Sequence, residues 1–222
     1  MVRGRDIFVP NTTSRKDFGR ALAYENHVSS QSIRTWSLMG FHTFPMERAD
    51  ALRGPERYRY CSREELIYDL ALEPSAVVAD LGSGTGFYTD EVAPFAGAVY
   101  AVDVQTAMHD RYREHGIPEN VETVTAAIET LPFDTDGIDA AFSIVTHHEY
   151  ASDEAFAELA RVIRPGGRLV TVDWSADGSG VDGPSMDERF PAETAADHLR
   201  DAGFDVLDVR ERPETFSIVA EG

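Results

Sequence analysis

The chain is nearly devoid of cysteine and of lysine. Its single cysteine, Cys61, excludes an internal disulfide framework and any zinc centre built on several thiolates. A lone thiol in a chain of this length reads as a small apolar packing residue, and a reducing cytoplasm is the expected setting. Long apolar runs are missing as well. None approaches the ~18 residues that crossing a bilayer takes, so membrane insertion is not expected. The N-terminal residues hold no apolar stretch of the kind that heads a secreted chain. Lys16 is the one lysine, so 19 of the 20 basic residues are arginines. Clusters of basic side chains able to track a nucleic-acid backbone are lacking, and no nucleic-acid partner is expected.

Acidic residues are what the chain has in excess: 39 against 20 basic, for a net charge of −19. With so little lysine, this composition resembles that of proteins from salt-in halophiles. Concentrated salt screens the self-repulsion such a charge would otherwise impose. An acidic surface made for a basic partner is the alternative. The 42% apolar content is ordinary for a folded protein.

The most informative stretch is Val77 to Gly86, Val-Val-Ala-Asp-Leu-Gly-Ser-Gly-Thr-Gly. A short apolar run reads as a buried strand, and Gly82, Gly84 and Gly86 read as a tight turn into a helix. Glycine lets the backbone turn sharply and lets a ligand lie against it. The spacing departs from the dinucleotide fingerprint G-x-G-x-x-G. Asp80 beside the turn disfavours a phosphate and favours a cationic ligand. A second apolar run, Ala98 to Asp103, ends in an acid 17 residues after Gly86. A carboxylate at such a strand tip can accept both hydroxyls of a ribose. Further strands are expected at Val121 onward, at Gly137–Val145 and after Pro165-Gly166-Gly167, where a helix closes. Pro191–Gly203 reads as another helix, and Phe204–Val209 and Thr215–Ala220 as the last two strands. Ser62 and Glu65 match a helix-opening capping box, and Pro74 is expected to end that helix. His109 and His115 lie in a polar helical stretch and are expected in solvent.

The glycine turn, the Leu131-Pro132 turn after Val121–Thr130, and Arg161-Val162-Ile163-Arg164-Pro165-Gly166-Gly167-Arg168-Leu169-Val170 occur in one order across roughly residues 62–175. Together they resemble the class I S-adenosylmethionine-dependent methyltransferases. Arg48-Ala49-Asp50, Pro55-Glu56-Arg57 and Asp173-Trp174 resemble the small-molecule, ubiquinone/menaquinone-biosynthesis-like subgroup. The resemblance implies an α/β fold: a Rossmann-like, doubly wound, mostly parallel seven-stranded sheet with helices on both faces and an N-terminal helical extension. Residues 1–61 would form that extension, packing on or lidding the core, and residues 62–222 the cofactor-binding domain. S-adenosylmethionine is the implied cofactor. Asp80, Gly82, Ser83, Gly84 and Gly86 would hold its methionine end, Asp103 and Val104 its ribose side, and Ile128 and Glu129 its adenine. Ala127 stands where the family often has Asp, which removes one expected adenine hydrogen bond.

Methyl transfer requires in-line alignment and exclusion of water, and a general base only when the acceptor must lose a proton. His147, His148, Glu149 and Tyr150 follow the fourth strand, where ligands of open α/β sheets bind. His147 and His148 are therefore the catalytic candidates. No metal is expected, since adjacent histidines rarely point the same way. The implied activity is methyl transfer to a small-molecule acceptor, with a homodimer among the possible assemblies. A cofactor-binding protein without transferase activity, a regulatory or partner subunit, is the alternative. A nicotinamide oxidoreductase is disfavoured by the glycine spacing and by the lack of a Tyr-x-x-x-Lys pair.

Overall fold

A computed structural model describes residues 44–222. The aromatic-rich region that includes Tyr24, His27, Trp36, Phe41 and His42 lies outside the described residues.

Helix α1 (Arg63–Leu70) opens where expected, with the Ser62 side chain accepting the Glu65 N–H at 3.1 Å. Glu65 does not complete the box. Its carboxylate turns instead to Arg210 and Arg212 and ties the helix to the far edge of the sheet. The helix stops at Ala71, which takes a left-handed conformation at φ 49°, three residues before Pro74 is reached. Leu66 and Leu70 bury against the sheet, whereas Ala71 is exposed.

The chain then alternates: β1 (Val77–Leu81), α2 (Phe87–Val92), β2 (Ala98–Asp103), α3 (Thr106–His115), β3 (Val121–Thr125), β4 (Ile138–Ile144), α4 (His147–Tyr150), α5 (Asp153–Val162), β5 (Ile163–Trp174), α6 (Ala192–Asp201), β6 (Asp205–Glu211) and β7 (Thr215–Glu221). The strands form one seven-stranded sheet in the order β3-β2-β1-β4-β5-β7-β6. β1 to β5 run parallel, and β7 lies antiparallel between β5 and β6. The sequence dictates this ending. The β7 residues Thr215 to Ala220 are all buried, which suits an interior strand, while β6 (Asp-Val-Leu-Asp-Val-Arg-Glu) is rich in charged residues, has none fully buried, and forms an edge. Apolar side chains cover both faces. Leu81, Val102, Phe156, Leu159, Leu199 and Phe216 pack with α5 and α6. Leu66, Leu70, Tyr88, Phe142 and Val170 pack with α1 and α2 on the other side. Cys61 is buried, and burial pushes its thiol up to about 12, in keeping with a packing role.

Residues Met46–Arg53 and Pro55–Arg59 are two short 3-10 turns. They lie across the carboxyl ends of β1 and β2. The Arg53 guanidinium donates to the Thr85 carbonyl and pairs with Asp90, both at 2.5 Å. Tyr88 Oη donates to the Arg57 carbonyl at 2.7 Å, and Gln105 Nε2 to the Phe44 carbonyl at 3.2 Å. No helix among the described residues is long and apolar enough to cross a membrane.

Candidate active site

The site gathers at the carboxyl ends of the parallel strands. After β1 the backbone takes positive φ at Gly82, Gly84 and Gly86 (78°, 53° and 82°). The turn is bonded to the tip of β2: the Gly82 and Ser83 N–H groups donate to the Val102 carbonyl at 2.9 and 2.8 Å. Asp103 locks it further. One carboxylate oxygen accepts the Gly84 N–H at 2.9 Å and the other the Gln105 N–H at 2.8 Å. Burial raises the Asp103 carboxyl to about 6, against the pull of those two N–H groups.

Asp80 lies one layer below. Its carboxylate accepts the Thr89 hydroxyl at 2.5 Å. Burial lifts it to about 7, opposed by that hydrogen bond and by the charge of Arg57. The Arg57 guanidinium stands over the Phe87 and Tyr88 rings at 5.8 and 5.3 Å, and burial lowers its pKa.

The three glycines do different work. A Cβ at Gly86 would fall 2.2 Å from the Tyr112 ring, and one at Gly82 would fall 2.3 Å from the Thr146 methyl. Both positions are closed by packing. At Gly84 the nearest atom to an added Cβ is Leu52 Cδ1 at 3.2 Å, a close contact with the end of a side chain, so this glycine is the least closed of the three. Ser83 Oγ and Thr85 Oγ1 are buried without a hydrogen-bond partner. Orphaned hydroxyls on a glycine turn, between two carboxylates, suit a ligand bearing cations and hydroxyls and repel a pyrophosphate. Val104 is half-buried beside Asp103. The segment after β3 carries the buried Ile128 and the half-buried Glu129 on a 3-10 turn.

At the tip of β4 the chain bends sharply. Val145 holds φ 57°, a left-handed conformation that a β-branched residue rarely adopts. This bend lays α4 across the strand ends and separates the two candidate histidines. His148 faces Asp173 at the tip of β5. Asp173 Oδ2 accepts the His148 backbone N–H at 2.6 Å, and both oxygens lie 2.9–3.0 Å from Nδ1. Burial alone would lower the His148 pKa, but the hydrogen bond and charge of Asp173 outweigh it and the value is raised. Burial pushes the nearby Glu149 carboxyl to about 8, with His148 pulling the other way.

His147 does not share this position. It is fully buried beneath Tyr150 and Phe156, both 5.4 Å away, and stacks on His198 at 6.0 Å. Neither ring nitrogen has a partner. The structure therefore does not bring His147 to the strand ends as expected: its ring is sealed among aromatic rings, and of the two histidines it is His148 that lies beside Asp173. His109 is corrected too: it is buried, with Nδ1 3.1 Å from the Thr125 hydroxyl, rather than in solvent. Asp173 is the site residue that sequence reasoning passed over. It closes a run in which Leu169 to Trp174 are all buried, and nothing within that run says that its tip meets His148.

Burial brings the His147 imidazole down to about 4, the main cause being loss of solvent around the charged ring. The unfolded chain takes up this proton near pH 6.5 and the folded chain only near pH 4, so His147 costs stability as pH falls through that window. The raised carboxylates titrate in the opposite sense, and a variant comparison cancels them. His147→Leu is expected to gain on the wild type as the solution is acidified, by about 3 kcal/mol at pH 4. Urea unfolding of both proteins across this range checks it. A constant difference would mean that the ring is not buried in its neutral form.

The fold and its glycine turn define a Rossmann-like cofactor-binding domain. Residues 79–171 match a family model described as a methyltransferase domain. The ubiquinone/menaquinone biosynthesis C-methyltransferase UbiE of Vibrio campbellii is 34% identical over 110 residues, covering 46% of this chain and 42% of that protein. The biotin biosynthesis bifunctional protein BioHC of Cellvibrio japonicus is 38% identical over 90 residues, covering 40% of this chain and 18% of that protein. The matched region thus spans less than half the length of these curated relatives. A crystal structure of a SAM-dependent methyltransferase from Aquifex aeolicus superposes with a TM-score of 0.73 at 27% identity, covering 80% of this chain and 98% of that one. Residues 79–171 thus carry a methyltransferase domain similar to those of S-adenosylmethionine-dependent methyltransferases, and S-adenosylmethionine is the cofactor that these comparisons support.

Proposed function

We propose that this protein transfers a methyl group from S-adenosylmethionine to a small-molecule acceptor, in the cytoplasm of a cell with concentrated internal salt. The observation that carries the reading is the glycine turn fastened to Asp103, with orphaned Ser83 and Thr85 hydroxyls and the buried Asp80 beneath it. The bound cofactor supplies an activated methyl on a sulfonium. The protein's part is to bind, orient and exclude water.

In this reading Gly82, Ser83 and Gly84 pass beneath the methionine end, and Gly86 keeps the turn compact against Tyr112. Asp80 offers negative charge toward the ammonium, and Arg57 positive charge toward the carboxylate. Asp103 takes the ribose hydroxyls. Val104, Ile128 and Glu129 border the adenine, with the Ile128 backbone N–H in place of the side chain that Ala127 lacks. His148 faces the acceptor. Residues 44–61 close over the turn as the described part of the extension, and the domain proper begins at Ser62.

Calorimetric titration in molar potassium chloride with S-adenosylmethionine, S-adenosylhomocysteine and NAD(H) tests the reading. Saturable binding of the two sulfur compounds and none of NAD(H) is expected. Gly84→Val should remove that binding, since its side chain presses on Leu52 over the turn and forces a β-branched residue to φ 53°. Well-folded protein that binds neither sulfur compound would overturn the reading.

A further inference from the structure

We propose that Asp173 is a positioning residue that fixes His148 as a proton acceptor through Nε2, so that the site serves an acceptor whose O–H or C–H must give up its proton. The proposal rests on the methyltransferase reading above and adds to it the chemical class of the acceptor.

The geometry carries it. Asp173 is 1% exposed, and a carboxylate can only accept hydrogen bonds. Its oxygens are already oriented: Oδ2 takes the His148 backbone N–H at 2.6 Å, and Oδ1 takes the Trp174 N–H at 2.7 Å. Both then face His148 Nδ1 at 2.9–3.0 Å. The ring nitrogen that meets them must carry the proton. In the neutral imidazole the lone pair is therefore left on Nε2, which has no hydrogen-bond partner among the described residues. The left-handed Val145 fixes the direction of α4, so the ring is held by strand, bend and carboxylate together.

The titratable groups around the ring come from three elements. Asp173 faces it from β5, Glu149 and His147 flank it on α4, and Glu188 acts on it from the 3-10 turn Met186–Glu188. The three carboxylates favour the imidazolium, and the buried His147 disfavours it. The arrangement is that of a base whose protonated form is stabilised by a neighbouring carboxylate.

An acceptor with a free lone pair, such as a tertiary amine or a thioether, has no use for such a base. A phenol, an enol or an activated carbon acid does. The proton of its O–H or C–H passes to Nε2, and the electron pair of that bond stays on the acceptor as the nucleophile. The imidazolium so formed is paired with Asp173 and afterwards returns the proton to water.

Long-range nitrogen–proton NMR of the imidazole side chains in molar potassium chloride tests the proposal without any acceptor. His148→Gln identifies the resonance. In the wild type the neutral ring is expected to carry its proton on Nδ1 and to titrate above a free histidine. Asp173→Asn is expected to lower that midpoint and to lose the single tautomer. S-adenosylmethionine affinity should stay within about twofold of the wild type. A wild-type ring protonated on Nε2, or one titrating at or below free histidine, overturns the proposal even if Asp173→Asn does not fold. Loss of cofactor binding by the wild type would instead overturn the methyltransferase reading, and the tautomer would still be legible.

Discussion

Asp103→Ala is expected to weaken S-adenosylmethionine binding by about 1–3 kcal/mol, roughly 5- to 150-fold, from the lost charge-assisted hydrogen bonds to the ribose alone. The structure adds a second loss. The same carboxylate holds the Gly84 N–H at 2.9 Å and the Gln105 N–H at 2.8 Å. Alanine leaves both donors without a partner, and the glycine turn loses its tie to the end of β2. The affinity should therefore fall at the upper end of that range, with a measurable drop in urea resistance of the cofactor-free protein. Asp103→Asn separates the two contributions, because it keeps one acceptor oxygen for one N–H and loses the charge. Titration calorimetry and urea unfolding of the three proteins decide the matter. Wild-type affinity in Asp103→Ala would mean that the ribose lies elsewhere.

Gly86→Val should be among the most damaging single substitutions in the turn, and its effect should fall on folding before binding. Gly86 holds φ 82° and forms the N-terminal boundary of α2. An added Cβ would sit 2.2 Å from the Tyr112 ring, which is fully buried and donates through its hydroxyl to Asp90 at 2.6 Å. The ring has nowhere to go without breaking that bond, and Asp90 also pairs with Arg53. Left-handed strain and overpacking together should cost about 3–5 kcal/mol. The shift in urea midpoint measures it. A near-native midpoint would show that Tyr112 can move aside, and the packing account of this glycine would fail.

The parts of the site that could be read in the sequence are those made within one strand–turn–helix unit. Asp80, the three glycines and Asp103 fall at fixed steps along the chain, and backbone geometry converts those steps into a place. The last two strands, β6 and β7, were legible as apolar stretches, but their order in the sheet was not, because the pattern of one strand does not name its neighbours. What stayed hidden depends on approach between distant segments. Asp173 lies 25 residues from His148 in the chain, and only the bend at Val145 brings them together. His147 and His148 are chemically identical neighbours, and which of them turns inward is settled by Phe156 and His198 packing from α5 and α6. His109 departs from its expected place in solvent for the opposite reason. Its immediate neighbours are polar, yet Met108, His109 and Tyr112 form a buried stripe at helical spacing, a signal that was available. Glu65 had the spacing of a capping residue but was drawn away by two arginines on β6 and its following turn.

Among the described residues the cation of every ion pair is an arginine, His148 apart. A lysine-rich surface starts to lose its positive charge near pH 10, whereas guanidinium groups stay charged beyond about pH 12. The ties that hold α1 to β6, and Arg53 to α2, are thus indifferent to alkali. In a strongly basic solution, where a lysine-built scaffold would be neutralised, this one keeps its charge.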